Sequence, residues 1–137
     1  MKIYKRKVNY YETDKMGVVH HSNYIRYFEE ARTYFLEEIG FPYSKIEQEK
    51  IISPVTSVTC QYKKPALYGE TLDIEIKLVG LSAVKSTFSY IVKNQNGEIN
   101  ATGQSEHCFL NDKGRIITIK SMPSFKEALD KELEEEN

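Results

Sequence analysis

Four side chains able to move a proton, Glu12, Asp14, His20 and His21, cluster in the stretch Glu12-Thr13-Asp14-Lys15-Met16-Gly17-Val18-Val19-His20-His21-Ser22-Asn23. A carboxylate can act as general base or nucleophile, and an imidazole exchanges protons near neutral pH. The stretch leads into a segment with helical periodicity. A helix N-terminus offers unpaired backbone N–H groups and about half a unit of positive charge. Those groups suit an anion, or an oxygen that becomes anionic during a reaction. Asp14 beside them is equipped as base or nucleophile, and Gly17 lets the backbone approach a ligand closely. The same residues also fit a structural role, with Asp14 capping a turn and both histidines serving as surface polar groups. The residue types of the loop leave both roles open.

The elements that must position these groups follow from periodicity. Ile25, Phe28, Phe35, Leu36 and Ile39 recur at helical spacing and predict a helix over Tyr24–Ile39. Ser22 or Asn23 can cap its start, and Gly40 with Pro42 ends it. Arg26, Glu30, Thr33 and Glu37 fall on the opposite face. Ahead of the loop, Ile3–Tyr11 reads as a strand. After the helix the period becomes two. Val55–Tyr62 is β-branched and stops at Lys63-Lys64-Pro65, Leu72–Leu78 alternates, and Ser86–Val92 continues in kind. Asn96-Gly97 predicts a hairpin into a return strand over Ile99–Leu110. Asn111–Gly114 turns into a further strand over Ile116–Ile119. Pro123 opens a short C-terminal helix striped by Phe125, Leu129 and Leu133. The acidic Glu134–Glu136 oppose its dipole, so its last turn is expected to fray. One long helix against a curved antiparallel sheet is a two-layer α+β solution. The helix covers one face of the sheet, and the other meets solvent or another subunit, which makes a homo-oligomer the expectation.

A chain of 137 residues is one domain's worth, spanning 1–137. Nineteen basic and twenty acidic residues leave a net charge of −1, which argues against nucleic acid as a generic electrostatic partner. No run approaches the ~18 apolar residues of a transmembrane helix, and the basic start lacks the apolar core of a secretory signal. Cys60 and Cys108 are far apart, so unbridged thiols in a reducing cytoplasm are expected. His20, His21, His107 and Cys108 lack metal-ligand spacing, so no metal is predicted. There is no G-x-S-x-G elbow for a serine hydrolase. Arg32 projects into the apolar stripe of the long helix. If buried it needs a partner. An ion pair with Glu29 and a contact with substrate are the two options.

The run from Tyr11 through Asp14, Gly17-Val18-Val19-His20-His21 and Asn23-Tyr24, followed by Glu29, Ala31 and Arg32, resembles the 4-hydroxybenzoyl-CoA thioesterase-like branch of hotdog-fold acyl-CoA thioesterases. Within that branch it looks most like the thioesterases associated with Tol-Pal gene clusters. The similarity extends to Lys64-Pro65-Ala66 with Gly69-Glu70, and covers the chain from about Lys5 to Ile119.

The resemblance implies a hotdog fold, dimers that join two sheets edge to edge, and commonly tetramers. It implies that Asp14 is the catalytic carboxylate and that the thioester carbonyl lies near backbone N–H groups around His21 and Ser22. A His at the position of His21 is also linked to catalysis in that branch. Position 20 is often aromatic there and is a second His here, so the match favours His21 as the working imidazole. Gly17, Val18, His20, Ser22, Asn23 and Tyr24 are then the expected substrate contacts around the loop. Lys64, Ser82, Lys85 and Ser86, together with Lys63, lie at predicted strand ends and are candidates for the phosphates of coenzyme A. Ordinary solvated side chains would fit those positions equally. The expected substrate is an acyl-CoA or acyl carrier protein thioester, with no separate cofactor, because coenzyme A is part of the substrate. Two rivals share the fold. A hydratase or dehydratase would set its His and carboxylate differently, and the His-Phe-Pro pattern is absent. A non-catalytic acyl-CoA binding module would release no thiol.

Overall fold

The computed structural model describes residues 1–136, with the side chain of Glu136 excepted. The chain runs β1 (Lys2–Lys7), α1 (Ser22–Glu38), α2 (Tyr43–Gln48), β2 (Ile51–Ile52), β3 (Val55–Tyr62), β4 (Thr71–Leu81), β5 (Lys85–Lys93), β6 (Ile99–Cys108), β7 (Leu110–Asn111) and α3 (Pro123–Glu136). Five strands form one antiparallel sheet in the order β1-β4-β5-β6-β3, and β2 pairs with β7 beside it.

The two-residue alternation of β4 decides which face of the sheet is covered. Leu72, Ile74, Ile76 and Leu78 are fully buried, and Phe88, Tyr90 and Val92 of β5 continue that inner face. α1 lies across it, burying Tyr24, Tyr27, Phe28, Ala31, Phe35 and Leu36. Phe28 stacks on Tyr90 at 4.3 Å between ring centroids, and Phe35 meets Phe88 edge-on at 5.2 Å. Gly103 of β6 makes this approach possible. A Cβ there would sit 2.4 Å from the Phe28 ring and 2.6 Å from the Thr59 carbonyl. α3 closes the end of the core, where Phe125 packs on Phe41 and Phe109. A long helix wrapped by a curved antiparallel sheet, with a short C-terminal helix, is the predicted hotdog arrangement.

Several boundaries differ from the sequence-based expectation. β1 ends at Lys7 rather than Tyr11. Val8 is buried and donates its N–H to the Glu70 carbonyl, and a 3-10 turn over Tyr10–Glu12 turns Tyr10 and Tyr11 outward. α1 starts two residues before Tyr24, and Ile25 is exposed, because Tyr24 and Tyr27 occupy the buried face. α2 is too short for an apolar period to reveal. The predicted strand over Ile116–Ile119 does not form. Ile116 makes one bridge to Leu110, since β7 is only two residues long, and the chain enters a 3-10 turn at Ile119. Against the fraying expected at Glu134–Glu136, the backbone of α3 is helical through Glu136, whose side chain lies outside the described residues. Both cysteines are free. The register sets Cys60 opposite Gly103, five residues from Cys108, or ~16 Å along the strand, beyond disulfide reach.

Candidate active site

The loop between β1 and α1 is a small hairpin of its own. Thr13 pairs with Val19, and Val18 with Leu67 in the connection between β3 and β4. The Asp14 N–H donates to the Val18 carbonyl at 2.9 Å, and the Gly17 N–H returns to the Asp14 carbonyl at 3.0 Å. Gly17 takes φ +77°, so the turn itself calls for glycine; a Cβ there would meet nothing within 4 Å. The Met16 N–H donates to Asp14 Oδ1 at 2.8 Å. Asp14 therefore does cap a turn. It is nevertheless exposed, and its Oδ2 has no hydrogen-bond partner among the described residues.

At the start of α1 neither Ser22 nor Asn23 is the cap. His21 holds that position, with no side-chain cap. The Asn23 and Tyr24 N–H groups donate to the carbonyls of His20 and His21. The Ser22 N–H donates to His20 Nδ1 at 3.3 Å, and Ser22 Oγ lies 2.9 Å from the same nitrogen. An amide can only donate, so Nδ1 accepts and the His20 ring is committed to Ser22. The His21 N–H has no partner among the described residues. Asn23, expected to touch substrate, is buried and donates its side-chain amide to the Glu12 carbonyl at 2.9 Å.

Asp14, Val18, His21, Tyr24, Tyr62 and Lys64 line an open cleft of about 300 Å³. The His21 ring stands 6.1 Å from the Tyr62 ring and 4.2 Å from the His20 ring, which is not part of the cleft wall. Burial pushes the Tyr24 hydroxyl up to about 12, so it remains a neutral phenol there. Burial also raises the Cys60 thiol, which rules against a ready thiolate on neighbouring β3. Among the described residues no group of three His, Cys, Asp or Glu side chains could hold a metal.

The lysines and serines divide into two sets. Lys63 and Lys64 border the cleft, where Lys64 is ion-paired with Glu98. Ser82, Lys85 and Ser86 lie at the opposite end of the sheet. Ser86 aligns with His107 and through it with Val55, whereas Tyr62 aligns with Ala101 and Val92. The seven residue steps from Val55 to Tyr62 span ~23 Å, so one protomer does not bring Lys85 to Asp14. Ser86 is buried, and Lys85 pairs with Glu106 at 3.2 Å.

Arg32 is buried, but the ion pair with Glu29 does not form; its guanidinium lies 5.5 Å over the Tyr43 ring. It borders a small cavity of about 40 Å³ with His107. A chain of short contacts runs from Tyr90 Oη to Ser105 Oγ (2.6 Å) to His107 Nε2 (2.7 Å). Burial, aided by Arg32, lowers the His107 pKa to about 3, so its ring is neutral.

One group did not stand out as more than a reactive candidate in the sequence. Glu12 is 3% exposed and bonded to Arg6, Asn9 and Tyr27 beneath the loop. The only sequence signal was an acidic residue two before Asp14 with aromatic neighbours, which does not predict burial.

Residues 8–133 match the model of the thioesterase-like superfamily. The chain is 30% identical over 124 residues to the acyl-CoA thioester hydrolase YbgC of Escherichia coli O157:H7, covering 88% of this chain and 92% of that one. It superposes on the crystal structure of a hypothetical protein (AQ1494) from Aquifex aeolicus with a TM-score of 0.88 at 41% identity, over 94% and 99% of the two chains. The DHNA-CoA thioesterase of Staphylococcus aureus gives a TM-score of 0.90 at 34% identity, over 94% and 88%.

Proposed function

The chain belongs to the thioesterase-like superfamily, and we propose that it hydrolyses acyl-CoA thioesters with Asp14 as catalytic carboxylate and the start of α1 as the oxyanion site. One observation carries this: a carboxylate oxygen and a helix-start N–H, on Asp14 and His21, border the same cleft and have no partner among the described residues. A thioester is already activated, so the site needs an oxygen nucleophile, charge stabilisation at the carbonyl oxygen and a proton for the leaving thiolate. Asp14 takes a proton from water, whose oxygen attacks the carbonyl carbon. Attack by Asp14 itself, with water cleaving the resulting anhydride, uses the same geometry. The His21 N–H and the positive end of α1 hold the oxyanion. Collapse breaks the C–S bond, and the thiolate takes the proton held by Asp14 or one supplied by His21. The products are a carboxylic acid and free coenzyme A, and no cofactor enters.

Cleft-lining Lys64 and Lys63 suit the phosphates of coenzyme A. Ser82 and Lys85 join them only from a second copy, whereas Ser86 is too buried to do so, and the working form is a dimer or a tetramer. Two free thiols fit a reducing cytoplasm. No helix among the described residues is long and apolar enough to cross a membrane.

A thiol-trapping assay over aliphatic and aromatic acyl-CoA and acyl carrier protein thioesters tests the reading. Asp14→Asn keeps the shape and the turn acceptor, and kcat should fall at least about a hundredfold with the fold intact. Near-wild-type hydrolysis by that variant removes Asp14 from the mechanism. Tight acyl-CoA binding with no thiol release favours a binding module, and water addition across an enoyl thioester favours a hydratase.

A further inference from the structure

We propose that Glu12 is a positioning residue for this reaction, fixing the Asp14 loop against the start of α1; the proposal rests on the thioesterase reading above. Glu12 is 3% exposed, yet it is ion-paired with Arg6 and fully engaged. Oε1 accepts from the Asn9 N–H (2.8 Å), the Tyr27 hydroxyl (3.0 Å) and Arg6 Nη1 (3.1 Å), and Oε2 accepts from Arg6 Nη2 (2.6 Å). Its carbonyl accepts from the His20 N–H at 2.9 Å and from Asn23 Nδ2 at 2.9 Å. One residue thus binds β1 through Arg6, the 3-10 turn through Asn9, and α1 through Tyr27 and Asn23.

The loop begins at Glu12 and ends at His20, so the His20 N–H bond closes it at its base. What remains free is the turn that presents Asp14. The anchor is itself anchored: Arg6 Nε donates to Glu30 Oε1 at 2.8 Å, and the Tyr4 hydroxyl donates to the same oxygen at 2.9 Å. Removing a partner from such a network strands a buried charge, so the loop cannot shift without a large penalty. Reacting groups displaced by about 1 Å can lose on the order of a hundredfold in rate. A buried apolar side chain would fill the same volume, but it would fix neither the direction of the loop nor the spacing of Asp14 from the His21 N–H.

The test is a cycle of Glu12→Gln with Asp14→Asn, plus Tyr27→Phe, which removes one donor and keeps the ring. Glu12→Gln should lower kcat about tenfold to a hundredfold while KM for the acyl-CoA changes less than about threefold. In the Asp14→Asn background the same change should cost less than about threefold, because there is no carboxylate left to position. Tyr27→Phe should fall between wild type and Glu12→Gln. Amide hydrogen exchange at Met16 and Gly17 should accelerate in Glu12→Gln and Tyr27→Phe, with β4 and β5 unchanged. A full multiplicative loss in the double variant, or unchanged loop exchange, overturns the proposal. If Glu12→Gln does not fold, Tyr27→Phe carries both readouts. Absence of thioester hydrolysis in the wild type would sink the functional reading, and the exchange result would still judge Glu12.

Discussion

At the scale of single residues, two adjacent imidazoles have different surroundings. His20 is bound to Ser22 through Nδ1 and stays off the cleft wall, while His21 faces the cleft with Asp14. Alanine at position 21 keeps the backbone N–H and removes only the ring, so it separates the proposed oxyanion donor from the side chain. His21→Ala is expected to lower kcat at least about tenfold, and His20→Ala less than about fivefold, through a looser helix start. Steady-state rates of both variants against the wild type check this. A severe loss confined to His20→Ala would reverse the assignment, and full activity in both would leave the work to the amide. The types and order of these residues were legible in the sequence because the motif is contiguous. Their different surroundings were not, because they depend on which ring nitrogen meets Ser22, and a one-dimensional pattern does not record that.

At the scale of elements, periodicity located α1, β4 and β5, because each buries one face and the spacing of apolar residues reports it, while β-branched composition marked the exposed β3 and the Asn96-Gly97 turn marked β6. It failed where polar groups are buried. Tyr24 and Tyr27 hold the inner face of α1 although an apolar count prefers Ile25, and Glu12 sits under the loop because Arg6 compensates it. It also over-read Ile116–Ile119, whose β-branched residues have no strand of sufficient length beside them. The β5–β6 pair carries another buried polar group with a measurable consequence. Folded His107 remains neutral down to about pH 3, whereas in the unfolded chain it takes a proton near 6.5. Stability from this residue is therefore complete above pH 6.5 and falls as pH drops towards 3, where both states are protonated. The loss approaches ~1.4 kcal/mol per pH unit, or about 2 kcal/mol by pH 5. Urea unfolding at pH 7, 6 and 5 should show this slope in the wild type and a slope smaller by about one proton in His107→Gln. Equal slopes would mean that His107 is not held neutral by the fold.

At the scale of the whole molecule, the two edges of the sheet are unlike. β1 carries Lys2, Lys5, Arg6 and Lys7, the charged pattern that keeps an edge from pairing. β3, Val-Thr-Ser-Val-Thr-Cys-Gln-Tyr, is eight residues long with no charge and no proline, and Val55 and Tyr62 are each 51% exposed. An edge of that kind is suited to pairing with itself. Two copies joined antiparallel along β3 about a two-fold axis set the Val55 end of one beside the Tyr62 end of the other. That pairing carries Lys85 of each sheet towards the other copy's Asp14 cleft, a meeting that the ~23 Å length of β3 denies within one protomer. Light scattering should therefore give at least a dimer at micromolar concentration. Thr59 is exposed near the middle of β3, so Thr59→Asp sets like charges close together across the axis and should weaken self-association about tenfold or more. On the proposal that a second copy completes the coenzyme A site, KM for acyl-CoA should rise with dissociation, while far-UV circular dichroism stays unchanged. A wild-type monomer, or a Thr59→Asp monomer with unaltered KM, would mean that each protomer binds coenzyme A alone and that the β3 edge serves some other contact.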